Sequence, residues 1–195
     1  MPDSTCANVI SFKGGETVDR AKPRNDLLVI ELTIRDIDVA RVLIDTGSSA
    51  DIIFKDTLEK MGISQSEIAK CPSPLLGLSG ETTMAYGSIR LAVKAGTVTN
   101  ITEFLVVDRP ASYNVIMGTP WLNTMRAIPS TYHLCLKFPT PNGVEVIWGN
   151  PRVSQVCFAA ELKRKRPILE ITPRKVEKKT SSKDTRSQDS AELFL

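Results

Sequence analysis

The sequence predicts an all-β domain with one or two short helices, built as a small barrel or sandwich. Three observations carry this. Short segments rich in Val, Ile, Leu and Phe recur along the chain, Gly and Pro punctuate them, and little of the chain has a helical apolar period. At 195 residues the chain accommodates one domain with tails, not two domains and a linker. With 42% hydrophobic and 24% charged residues, it carries enough apolar material for a core.

Residues 1–26 are mixed and polar, and read as a flexible lead-in. Leu27 to Ile34 and Ile37 to Asp45 are strand-like and flank the turn-like pair Arg35-Asp36, which predicts a hairpin. Its second strand runs into Asp45-Thr46-Gly47-Ser48-Ser49. Ala50 to Phe54 is apolar and expected to be buried. Asp56 to Met61 is a short helix candidate, with Gly62 placed to cap its C-terminus. Ser64 and Glu67 have capping-box spacing and predict one or two helical turns at most. The Cys71-Pro-Ser-Pro74 stretch ends any regular element.

Leu75 to Val93 reads as a long hairpin with Gly77, Ser79 and Gly80 at its tip and Gly87 interrupting the return strand. Phe104 to Asp108 and Tyr113 to Gly118 are further short strands. Pro120 opens a helix covering Trp121, Leu122 and Met125. Tyr132 to Phe138 and Val144 to Trp148 form a hairpin around a Pro-Asn-Gly turn at 141–143. Val153 to Ala159 is the last strand candidate. After Ala160 the composition shifts to Lys, Ser and Thr, so residues 161–195 read as a basic disordered linker, and 27–160 as the domain.

Charge and composition exclude several functions. Residues 1–160 hold 15 Lys+Arg against 16 Asp+Glu, and residues 161–195 hold 10 against 6. The positive charge belongs to the tail, so nucleic-acid binding by the core domain is not expected. The lone His133 leaves no His-rich metal site, and Cys6, Cys71, Cys135 and Cys157 contain no C-x-x-C pair, so neither metal nor cofactor is expected. No apolar run approaches a membrane span, and no secretory h-region stands at the N-terminus. A cytoplasmic protein with free thiols and no membrane partner is the expectation. Trp121 and Trp148 are expected as core or interface aromatics.

Two segments carry chemistry. Val42-Leu43-Ile44 is an apolar strand that delivers Asp45 out of a core, and Thr46-Gly47 continue it; alone this is also good turn chemistry. Asn114-Val115-Ile116-Met117-Gly118 ends a second apolar strand in Gly, 73 positions beyond Asp45, with the Gly-bearing hairpin between.

In this arrangement the chain resembles the retropepsin-like aspartic proteases, and specifically the protease segment of a plant gypsy-type LTR retrotransposon Gag-Pol polyprotein. The matching stretches are VLIDTGSSADIIF, PLLGLSGETTMAYGSIRL, FLVVD, YNVIMGTPWL, and the run from STYHLCLKF through WGNPRVSQVCFAA. The resemblance covers about Leu27 to Ala160 and implies a retropepsin-like closed β-barrel with one lobe per chain.

It also implies roles. Asp45 is the catalytic aspartate. Thr46 bonds across to a partner subunit, Gly47 lets the backbone pass without a Cβ clash, and Ser48 hydrogen-bonds the outer carboxylate oxygen. Gly77, Leu78, Ser79 and Gly80 form the flap tip that closes over substrate. Ile116, Met117 and Gly118 form the loop packed beneath the active-site loop. The family more often has Leu before this Gly and Arg after it; here Met117 and Thr119 stand there. Met fills the same apolar space.

Peptide hydrolysis of this type needs an acid and a base, and two adjacent carboxylates sharing one proton supply both. Asp-Thr-Gly occurs once, so the expectation is a homodimer acting on an extended peptide or polyprotein, inside virus-like particles for a retroelement. In the family, terminal strands interleave at the dimer interface, which nominates Val153 to Ala159 and part of the region before Leu27. The alternative is a catalytically silent or domesticated retropepsin-like dimerisation or binding module. A ubiquitin-linked shuttle protein ranks lower, because no ubiquitin-like segment is visible.

Overall fold

A computed structural model describes residues 9–12, 26–77 and 80–164. Most of the expected lead-in, the tail beyond Arg164, and the flap residues Leu78 and Ser79 lie outside the described residues.

Strands β1 (Val29–Ile34) and β2 (Ile37–Ile44) form the expected hairpin. Its two turn residues, Arg35 and Asp36, both have positive φ (48° and 64°), matching the twist that a tight hairpin demands. β3 (Ile52–Phe54) leads directly into helix α1 (Lys55–Lys60), and Gly62 follows at φ 69°. A 3-10 turn spans Gln65–Glu67; there the Ser64 hydroxyl accepts from the Ser66 N–H, not from Glu67 as a capping box would have it.

The expected long hairpin divides. β4 (Pro74–Leu76) and β5 (Thr82–Met84) form a small projecting ribbon, and the chain re-enters the body as β6 (Gly87–Ala95). In β6 every second residue is buried, the period of a strand with one face on the core. β6 pairs along its whole length with β7 (Val98–Val107). β8 (Val115–Met117) then lies parallel to β2 and antiparallel to β3.

These six strands close a barrel in the order β1-β2-β8-β3-β7-β6. The fold class is therefore the mostly-β closed barrel that the sequence implies. Ile34, Val42, Ile53, Phe104, Val106, Val115 and Met117 fill the core and are fully or almost fully buried. Helix α2 (Thr119–Met125) begins with Pro in its first turn, and Trp121, Leu122 and Met125 are buried as expected. A separate sheet of β9 (Ile128–Ser130), β10 (Cys135–Thr140) and β11 (Gly143–Trp148) has β10 at its centre.

The last expected strand, Val153–Ala159, is instead the middle of helix α3 (Pro151–Arg164). The start signal is Asn150-Pro151. The Asn150 side-chain oxygen accepts from the N–H groups of Arg152 and Val153 at 3.1 and 3.2 Å, and Pro151 takes the first helical position. Ser154 and Cys157, three apart on one face, are buried, and the Ser154 hydroxyl donates to the Leu27 carbonyl at 2.8 Å. Residues 153–159 therefore cannot serve as an interleaving interface strand in this conformation. Among the described residues no helix is long and apolar enough to cross a membrane.

Candidate active site

Parallel pairing of β2 with β8 matches Ile44 to Met117. The next residues, Asp45 and Gly118, therefore leave the barrel at the same edge. The Asp45 N–H donates to the Met117 carbonyl at 3.0 Å, which holds the start of the 45–51 loop on the end of β8.

Within the loop, the Gly47 N–H donates to Asp45 Oδ1 at 2.9 Å, and the Ser48 N–H to the Asp45 carbonyl at 3.2 Å. The Asp45 carboxylate is thus oriented by its own turn and is partly accessible. Thr46 is exposed on the outside of the turn. Ser48 differs from the expectation: its hydroxyl donates to the Ala50 carbonyl at 2.7 Å, and the Gly47 N–H makes the contact to the carboxylate.

Beneath the loop, Gly118 is a close-approach glycine. A Cβ there would lie 2.4 Å from the Ala50 carbonyl oxygen and 2.7 Å from that of Ser48. Thr119, at the position where the family more often has Arg, puts both its N–H (2.9 Å) and its hydroxyl (3.1 Å) on the Ser48 carbonyl. The structure thus brings Asp45, Gly47, Ser48 and Met117 into one hydrogen-bonded unit, with Gly118 packed beneath it. Sequence reasoning missed Asp51, whose carboxylate accepts from the Gly118 N–H at 2.7 Å. Burial pushes its pKa up to about 6, against the lowering effect of the Gly118 and Trp121 N–H groups. The available signal was an Asp at the head of the buried run Ile52-Ile53-Phe54.

The β4–β5 ribbon carries Gly77 and Gly80 at its tip. The Gly77 N–H donates to the Glu81 carbonyl at 2.9 Å, and Gly80 has φ 79°. Between this ribbon and the barrel lies a cavity of about 420 Å³. Its floor is a row of three side chains on adjacent strands, Leu43, Ile116 and Ile52, set side by side by register. Leu75 and Leu76 border it from the ribbon and Tyr113 from the β7–β8 connection. Asp45 is two residues beyond Leu43 and outside the lining. Helix α3 reaches this region through Glu161, which lines the cavity and accepts from the Ser112 N–H at 2.8 Å. Among the described residues no cluster of three or more His, Cys, Asp or Glu is placed to hold a metal ion. The arrangement offers one oriented carboxylate beside an apolar trough.

Residues 30–121 match the sequence model of a family described as aspartyl protease. No curated protein sequence matches the chain. The structure is similar to the retroviral protease-like domain of Ddi1 from Leishmania major, with TM-score 0.53 and 19% identity over 66% of this chain and 97% of that one. It is also similar to EIAV protease complexed with the inhibitor HBY-793 (TM-score 0.45, 19% identity, 57% of this chain and 99% of that one). A third likeness is to a retropepsin-like aspartic protease from Rickettsia conorii (TM-score 0.43, 13% identity, 61% and 80%). The fold is that of a retropepsin-like domain.

Proposed function

We propose that the chain is an aspartic endopeptidase of the retropepsin type, with Asp45 as one carboxylate of a dyad completed by a second copy of the chain. The observation that carries this reading is the seat of Asp45: a partly accessible carboxylate with one oxygen held by the Gly47 N–H, on a loop bonded to the end of β8. The aspartyl protease pattern over the same residues supports it.

In this reading the two carboxylates lie close enough to share one proton and one charge. The ionised member takes a proton from a bound water as the water attacks the scissile carbonyl, and the protonated member protonates the carbonyl oxygen. The proton then passes to the leaving nitrogen, and the pair titrates as a unit. Exposed Thr46 is free to bond to the partner's loop. Because residues 153–159 are helical, the subunit contact is built around the Thr46–Ser49 turn and not from an interleaved strand at 153–159. Substrate lies extended between the β4–β5 ribbon and the floor, with Leu43, Ile52 and Ile116 receiving an apolar side chain. Residues 77–80 act as the flap tip.

The substrate is inferred to be the polyprotein of a retroelement, on the resemblance of the motifs to that protease segment. The test is cleavage of a flanking polyprotein fragment by wild type and Asp45→Asn, with and without a pepstatin-type inhibitor. Wild type is expected to cleave, the variant to fold without cleaving, and the inhibitor to block. Equal cleavage by both proteins overturns the mechanism, and a monomer during active turnover in sedimentation overturns the shared dyad.

A further inference from the structure

Asp51 is a carboxylate that the dyad chemistry does not use, yet it is only 4% exposed. A buried carboxylate is costly unless hydrogen bonds compensate it, and short charge-assisted ones do so best. Oδ1 accepts from the Gly118 N–H at 2.7 Å, at the start of α2. The Asp51 carbonyl accepts from the Leu105 N–H of β7 at 2.8 Å. One residue thus fastens the end of the Asp45 loop to β7 and to the turn between β8 and α2.

The segments 45–51 and 117–119 are also joined by the Asp45 N–H to the Met117 carbonyl and by Thr119 to the Ser48 carbonyl. Among these links, that of Asp51 is the one in which a side chain of the Asp45 segment reaches across. We propose that Asp51 is the positioning residue for Asp45, holding the Gly118 turn in the place from which the Met117 carbonyl fixes the Asp45 backbone. The inference rests on the reading of Asp45 as the catalytic carboxylate.

The link changes with protonation. Ionised Asp51 offers a charged acceptor to the Gly118 N–H; protonated Asp51 loses that charge, turns one oxygen into a donor and weakens the tie. Burial raises its pKa to about 6. Of the elements packed here, β7 brings Glu103, which lines the same cavity of about 280 Å³. β8 and α2 bring no charged side chain, and Asp45 lies at the other end of the loop. Asn is the neutral mimic of the protonated form, with one acceptor oxygen and one donor nitrogen.

The experiment compares wild type, Asp51→Asn and Asp51→Ala in peptide cleavage and in amide hydrogen exchange followed by NMR. Asp51→Ala is expected to lower kcat with KM little changed. It should also speed exchange roughly tenfold or more at Gly118 and, remotely, at Asp45. Asp51→Asn is expected to match wild-type kcat near pH 5 and to fall severalfold below it near pH 7.5. Unchanged exchange at Asp45 in Asp51→Ala, or an Asn-to-wild-type rate ratio independent of pH, overturns the proposal. If Asp51→Ala does not fold, Asp45 exchange in Asp51→Asn against wild type at pH 5 and 7.5 decides in the same way. If wild type does not cleave but Asp45 exchange responds as stated, the endopeptidase reading fails while the positioning of Asp45 by Asp51 stands.

Discussion

The N–H of Asp45 donates to the carbonyl of Met117 at 3.0 Å, across 72 positions of sequence. The carboxylate proposed for catalysis is therefore held by a backbone contact from the neighbouring strand of the barrel, remote in sequence and adjacent in space. The predictions concern what holds that contact and what surrounds it.

Gly118→Ala is expected to destabilise the fold by about 2–3 kcal/mol, at the upper end of overpacking costs. The added Cβ meets two backbone carbonyls, Ala50 at 2.4 Å and Ser48 at 2.7 Å, and neither can rotate away. Urea titration measures the loss. Cleavage, assayed where the variant is still folded, should fall with it, because relief of the clash moves the Asp45 loop.

Stability should carry the signature of Asp51. Its pKa rises from 3.8 to about 6 on folding, so between these values the folded chain binds more proton than the unfolded one. The contribution is present in full below about pH 4, is lost as pH rises through about 6, and is flat above. The difference in melting temperature between wild type and Asp51→Asn should therefore shift in favour of wild type on going from pH 7.5 to 4.5. A difference constant across this range would refute the assignment.

Glu161→Ala should raise KM several-fold with kcat retained. Glu161 accepts from the Ser112 N–H, and Cys157 Sγ donates to the Ser112 carbonyl at 3.4 Å, so α3 holds both sides of one peptide residue in the connection that carries Tyr113. Loosening that wall affects substrate binding before chemistry. Steady-state kinetics on a peptide substrate separate the two constants, and a loss confined to kcat would contradict the placement.

Asn150→Ala should cost about 1 kcal/mol by removing the acceptor for the Arg152 and Val153 N–H groups. Denaturant titration measures it. Circular dichroism of the folded variant should show weakened helix, whereas a strand at 153–159 would leave the spectrum unmoved.

The elements legible in the sequence were those whose burial follows their pattern. β1 buries Ile30, Leu32 and Ile34 at strand period, β2 ends in the buried apolar run Val42-Leu43-Ile44, Arg35-Asp36 announce the turn between them, and Pro120 opens α2 above three buried apolar residues. The first half of β7 was not legible because its phase is inverted: Ile101 is 68% exposed while Thr102 is 6% exposed. α3 was missed because Val153, Val156 and Phe158 suggest a strand, while the Asn150-Pro151 start signal and the pairing of Ser154 with Cys157 outweigh that propensity. At the site, Asp45 and Gly118 were legible as motif residues. Asp51 was not, because its partner is a backbone N–H 67 positions away that no side-chain pattern reveals.

The parallel β2–β8 pair also has a kinetic meaning. Leu43 and Ile116 are neighbours in space and 73 apart in sequence, so closing that loop is one of the slower, entropically costly steps of folding. A nascent or truncated chain ending before Gly118 carries the whole Asp-Thr-Gly sequence and nothing to set it against. The wait for β8 acts as a timer, withholding the completed site until the first two thirds of the domain have been made and β8 has folded back onto β2.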